Sequence, residues 1–256
     1  MGRIEVEVDL TAIESGDDDK PEWSIVTVQP SFQQDDKSET YFTQLQLNYG
    51  YQFGDTRLWS NVGVGYRRII NNNMLIGLNT FLDYDFEEQH LRPALAASSN
   101  STPSIFRRTP TYRFPTKKTV STTLVEEALG GYDLEARSQL PYLPWARAGL
   151  RYFTWNTESA ADNITGYEAT LEMDIHQNVQ IEIAASDDNF GERQFTARLR
   201  FINRPNKRPA ALSNKFVTAR AFEPRDMRDY TLDKVRRENK IILEGKSSGI
   251  VIARGT

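Results

Sequence analysis

No cysteine occurs among the 256 residues, so neither a disulfide framework nor thiolate chemistry is available to the chain. Long apolar runs are missing as well. No stretch of about 18 uninterrupted apolar residues exists, which excludes a transmembrane helix. The mean hydropathy of −0.57 is what soluble proteins show. A transmembrane barrel stays open, because its strands are apolar only at every second position. Excess positive charge is absent too: 31 Lys and Arg against 35 Asp and Glu leave a net charge of −4, which speaks against nucleic-acid binding. Met1 to Glu7 hold no apolar signal core, so the start is expected to lie inside a longer protein or to be trimmed.

What is present in abundance is period-2 alternation, in segments of about ten residues separated by polar turns. Tyr41, Thr43, Leu45, Leu47, Tyr49 and Tyr51 share one face, with Phe42, Gln44, Gln46, Asn48 and Gly50 on the other. Leu58, Val62, Val64 and Tyr66 alternate with Trp59, Asn61, Gly63, Gly65 and Arg67. Met74, Ile76, Leu78, Leu82 and Tyr84 oppose Gly77, Asn79, Asp83 and Asp85. The second half repeats the pattern around Tyr132, Leu134 and Ala136, around Ala148, Leu150 and Tyr152, and around Ala169, Leu171 and Met173. It recurs again around Ile181, Ile183 and Ala185 and around Ala197, Leu199 and Phe201.

A soluble sandwich also alternates. Two features favour a membrane barrel. Tyrosines cluster at strand ends on the apolar face, where a membrane interface would hold them. Strands of about ten residues match the hydrocarbon thickness, whereas sandwich strands are nearer five or six. The expected fold is therefore all-β, an antiparallel transmembrane barrel over residues 1–203.

The polar faces then point inward. Arg67, Asp83, Asp85, Asp133, Glu135, Arg137, Arg147, Arg151, Glu168, Glu172, Glu182, Arg198 and Arg200 are the expected lumen lining, a mixture of signs that would satisfy itself by pairing. Charge is expected to be better tolerated on that face than on the apolar one. Gly63 and Gly65, inside a strand, leave room for a bulky neighbour or a threading segment.

Two stretches depart from the pattern. Leu91 to Val125 is rich in Ser, Thr and Pro without sustained alternation, and a loop that long is unusual inside a compact domain. It is expected to be either out of frame in its gene, with two strands disrupted, or a genuine loop insertion in a barrel of fewer strands. From Arg204 the chain changes character: Arg204 to Pro209 reads as a linker, Pro224 to about Asn239 as a short helix charged nearly all round, and Ile241 to Glu244 as extended.

Chemistry finds little support. Asp83 and Asp85 lie on one face with His90 downstream, an arrangement that an omptin-like outer-membrane protease would use. The blander reading has both carboxylates paired with arginines in a polar lumen, since one histidine without a partner constellation is a poor catalytic signature. His176 sits in a turn without an ally. Asp17-Asp18-Asp19 and Asp187-Asp188 lack the spacing of a calcium loop and read as solvated turns. No catalytic, cofactor-binding or metal-binding residue is assigned, and no cofactor is expected.

Three stretches resemble the barrel domain of intimin and invasin, the inverse autotransporters of Gram-negative bacteria. They are Asn61 to Phe86, Gly131 to Pro144 with its Pro-rich turn, and the set Tyr230, Leu232, Val235, Arg237, Asn239, Ile241 to Glu244. Arg3 to Leu10 looks like the first strand of that domain. The resemblance implies about twelve strands in the bacterial outer membrane and two strands between His90 and Glu127. It also implies a linker, residues 204–256, that threads the lumen through Tyr230, Leu232, Val235, Arg237, Asn239 and Ile241 and carries an adhesin-like C-terminal passenger to the surface. The passenger, the peptidoglycan-binding region and the signal region are expected to be missing from this chain. Implied partners are outer-membrane lipid, the barrel assembly machinery and that passenger. A porin-like channel is the alternative, and an omptin-like protease a more distant one.

Overall fold

The computed structural model describes residues 2–13, 21–52, 55–71, 73–102, 104–111, 117–119, 124–158, 160, 162–190, 193–203, 208–212, 216–247 and 250–254. Twelve antiparallel strands close into a barrel. They are β1 (Arg3–Ile13), β2 (Glu22–Gln33), β3 (Glu39–Gln52), β4 (Asp55–Asn71), β5 (Met74–Asp85), β6 (Leu91–Ser101) and β7 (Ser104–Thr111). After two short strands, β8 (Lys117–Thr119) and β9 (Leu124–Ala128), the wall resumes with β10 (Gly130–Leu140), β11 (Leu143–Asn156), β12 (Ile164–His176), β13 (Val179–Asp188) and β14 (Arg193–Asn203). Pairing of β1 with β14 from Ile4↔Asn203 to Ile13↔Gln194 closes the sheet, so the barrel wall has no open edge.

Burial is inverted relative to a soluble protein. Leu150 and Tyr167 are each 68% exposed and Leu78 63%, whereas Asp83, Arg92 and Glu182 are fully buried. An apolar exterior around a charged interior fits lipid outside. Two aromatic belts bound the apolar band. One joins Phe32, Tyr41 and Tyr66, with Tyr41 and Tyr66 at 4.8 Å between centroids. The other joins Trp23 to Tyr49 at 5.4 Å and Tyr152 to Tyr132 and Tyr167. Tyr41 and Tyr51 mark the two ends of β3, about 33 Å apart along the strand and about 25 Å apart once the strand is tilted, the height of a transmembrane apolar band.

The stretch from Leu91 to Thr111 is not a loop. β6 pairs with β5 from Tyr84↔Leu91 to Met74↔Ser101, and β7 pairs with β10 from Gly131↔Thr111 to Ser138↔Ser104. The barrel has no gap there, which overturns both the disrupted-strand and the fewer-strand expectations. The alternation is muted because both faces of β6 carry small residues: Ala94 and Ala96 point in and Ala97 points out.

At one end of the barrel most strands are joined by two-residue turns, such as Pro141-Tyr142, where Tyr142 takes a φ of 65°. Connections at the other end are mostly longer. In outer-membrane barrels short turns face the periplasm and long loops the exterior, which makes the short-turn end the inner end and the other the outer. A separate four-stranded sheet, in the order β16 (Ile250–Arg254), β15 (Leu243–Ser247), β9, β8, sits on the β7–β10 connection.

Candidate functional site: the lumen and the segment that crosses it

After β14 the chain passes along the inner end and then through the barrel. Ala211 N–H bonds to the Asp174 carbonyl at 2.8 Å, and Thr218 N–H to the Tyr142 carbonyl at 3.0 Å. Arg225 reaches Gln139 at 2.7 Å, and Met227 and Tyr230 pack on Leu75. Further on, Val235 N–H donates to Gln44 at 2.8 Å. Asn61 donates to the Asn239 carbonyl at 2.9 Å, and Gln52 to the Ile241 carbonyl at 3.0 Å. The segment then joins the outer sheet through β15.

Its conformation is not the helix that its composition suggests. Only Met227–Tyr230 winds, as a single 3₁₀ turn whose N-cap Asp226 accepts from Arg228 N–H at 2.9 Å. The rest is irregular, because its charged side chains have partners on opposite walls.

The lumen has two unlike walls. On β1 and β10–β14 lies a charge network. Arg137 donates to Glu172 at 2.7 Å and to Glu182 at 3.2 Å, and also pairs with Glu135. Arg147 pairs with Glu172 and Asp174. Arg198 bridges Asp9 at 2.7 Å and Glu182 at 2.9 Å, and Arg200 holds Glu182 at 3.0 Å and also Glu7. Arg151 pairs with Glu168 at 3.2 Å, and Asp133 is fully buried. Crossing residues complete this wall: Arg236 bonds Glu172 at 2.9 Å and also Glu182. Lys234 lies 3.7 Å from Glu7, and Glu238 receives Arg151 at 3.0 Å.

The opposite wall, on β2–β6, sets an apolar cluster and amide groups among fewer charges. Val28, Phe42, Phe81, Ala94 and Ala96 form a cluster with Val235, and Leu232 packs against it. The alanines of β6 are small because the crossing segment occupies that space. Arg67 donates to the carbonyls of Tyr230, Thr231 and Asp233 at 3.1, 2.8 and 2.6 Å, fixing backbone groups that would otherwise be orphaned. Asp83 takes Arg92 at 3.0 Å and also Arg237. Arg237 stacks over the Phe81 ring at 4.4 Å.

Gly63 faces Phe81. A Cβ added at Gly63 would fall 2.3 Å from that ring, so the ring under Arg237 exists because Gly63 has no side chain. Gly63→Val should cost about 1–3 kcal/mol by overpacking, read as a lower denaturation midpoint of the assembled barrel. Gly77→Ala, whose nearest obstacle is the Ser98 hydroxyl, should cost less.

Asp83, Asp85 and His90 do not form one constellation. Asp85 holds Arg57 at 3.1 Å and caps Glu87 N–H at 2.9 Å, whereas His90 Nε2 faces Glu126 at 3.6 Å. Among the described residues no group of three or more His, Asp or Glu is placed to hold a metal. Asp187 pairs with Arg193, and Asp188 accepts from Phe190 N–H. Asp17 to Asp19 lie outside the described residues.

Several wall groups stand outside the expected lining: Arg3, Glu5, Glu7 and Asp9 of β1, Arg57 and Arg92. The β1 set was detectable, since it alternates with Ile4, Val6 and Val8. Arg57 and Arg92 sit near turns at strand starts, where period-2 contrast is short.

Comparison with known proteins gives a family match over most of the chain. A model described as inverse autotransporter, beta-domain, matches residues 4–239. An Escherichia coli (strain K12) protein described as an attaching and effacing protein homolog is 29% identical over 104 residues, 38% of this chain. The match spans 34% of that relative's length. A membrane-protein structure described as "Unveiling the Mechanism Behind the in-meso Crystallization of Membrane Proteins" superposes with a TM-score of 0.75 at 19% identity, covering 95% of this chain and all of its own. An outer membrane channel from Pseudomonas putida F1 matches at TM-score 0.55 and 12% identity, over 79% of this chain and 95% of that one. The KdgM porin matches at 0.52 and 10%, over 78% and 98%. At these identities the structures share the fold.

Proposed function

The chain belongs to the inverse autotransporter β-domain family and resides in the bacterial outer membrane; from that premise we propose that it anchors and exports a polypeptide through its own lumen. Residues 1–203 are the anchoring barrel, and residues 204–256 are the linker that leads an adhesin-like passenger to the cell surface. The observation that carries this reading is the course of residues 225–243. They run from the inner end, at Arg225 and Gln139, to the outer sheet, where Leu243 pairs with Ala128. A porin-like channel needs an open lumen, and here side chains of the crossing segment bond to both walls. The barrel assembly machinery is the partner that inserts it. Nothing in the reading requires catalysis, and the one candidate acid pair is tied up in salt bridges.

A small tagged domain fused after Thr256 tests export. On intact cells the tag should bind antibody, provided the barrel is assembled. A tag reached only after the outer membrane is permeabilised, with the barrel folded, would sink the proposal.

A further inference from the structure

The exposure of the crossing segment falls toward the outer mouth. Its inner and middle stretches keep some partly exposed side chains, 26% for Asp233 and 29% for Arg236, beside the buried Val235 and Arg237. Towards the outer end, Ile241, Ile242 and Leu243 are 2%, 0% and 0% exposed. Ile242 packs in a cluster with Leu129, Phe153, Trp155 and Ile164, while Ile241 and Leu243 pack against Ala128.

Backbone groups of this tripeptide are paired within the protein. Leu129 N–H bonds to the Ile242 carbonyl at 2.8 Å, Gln52 covers the Ile241 carbonyl, and Leu243 is in the ladder with Ala128. Two carboxylates pin the collar to the wall. Glu244 accepts from the Glu158 and Ala160 amides at 3.1 and 2.9 Å. Glu126, whose position on β9 pairs with Gly245, accepts from Arg57 Nη2 through both carboxylate oxygens, at 2.6 and 2.8 Å.

We propose that this collar is the permeability seal of the barrel, a site that receives the extended apolar tripeptide Ile241-Ile242-Leu243 and thereby closes the outer mouth to water and ions. The inference rests on the crossing segment being threaded, as proposed above. Ions are repelled by a dry apolar constriction far more than by a hydrated passage lined by both signs of charge, since the former strips their water and offers nothing in return. A polar polypeptide finds no such binding site at the collar, so the seal forms when the apolar tripeptide arrives.

The test measures conductance of the full chain in planar bilayers, with assembly checked by heat-modifiable migration. Val235→Cys and Gln44→Cys, joined as a disulfide by molecular iodine, an oxidant small enough to reach a buried pair, fix the segment in mid-lumen, where Val235 N–H meets Gln44 at 2.8 Å. With that bridge in place, Ile242→Asp should raise ion conductance at least about tenfold, because hydration of the collar removes the barrier. Leu129→Ala, which trims the receiving pocket without adding charge, should leak in the same direction and serves if Ile242→Asp does not assemble. A bridged barrel that stays closed in both variants would overturn the seal while leaving the threaded segment intact. Failure of the bridge to form in the otherwise unchanged chain would remove the threaded reading, and the seal with it.

Discussion

Ile183→Arg should destabilise the assembled barrel by about 2–4 kcal/mol and block its insertion, whereas Tyr167→Arg should cost about 0–1 kcal/mol. Ile183 lies midway along β13 and pairs across the wall with Leu171 and Ala197. It is half exposed to the exterior, so a guanidinium there faces hydrocarbon with no group to pair with. Tyr167 is more exposed still, but it belongs to the outer aromatic belt beside Tyr152, where an arginine reaches headgroups and water. Folding titrations in lipid vesicles would report both values. Equal tolerance at the two positions would contradict a lipid-facing β13.

Inward-facing positions are not the mild sites that alternation alone suggests. Glu182 accepts from Arg137, Arg198, Arg200 and Arg236. An arginine in its place would set five guanidiniums together in a buried space, and breaking a buried pair costs about 3–5 kcal/mol even before repulsion is added. Period-2 reading tells which side chains turn inward. It says nothing about how many partners each has, and the partners decide the cost.

The same distinction explains what was legible in the sequence. β10 to β14 could be read residue by residue because their inward face is charged and their outward face apolar, so each strand carries maximal contrast. β6 could not, because its inward Ala94 and Ala96 pack on Val235 and the contrast vanishes where the lumen wall is itself apolar. The charged crossing segment looked like a solvated helix for a related reason. Arg237 and Asp83 are more than 150 positions apart, as are Lys234 and Glu7, and no local pattern announces a partner at that distance. Only the family resemblance brought Tyr230, Val235 and Arg237 to the lumen before the fold was known. Their neighbours Lys234 and Arg236 belong to the same charged stretch and carry two ion pairs each.

Deleting residues 224–242 should convert a closed barrel into a conducting one, with a single-channel conductance raised at least about tenfold and a preference for cations. The rise follows from geometry. The segment fills the space between the apolar wall, through Val235 and Leu232, and the charged wall, through Lys234 and Arg236. The preference follows from charge. The deleted residues carry six basic and four acidic side chains, and the basic ones answer Glu7, Glu22, Asp83, Glu172 and Glu182 on the wall. Without them the lumen keeps its carboxylates and loses their counter-charges, so a ring of excess negative charge remains to draw cations in. Conductance and reversal potential under a salt gradient measure both effects. Independently, Val235→Cys in the full chain should resist a bulky maleimide, because Val235 is 4% exposed between Phe42, Phe81 and Ala94. Unchanged conductance after the deletion, together with free labelling at that cysteine, would place the segment outside the barrel.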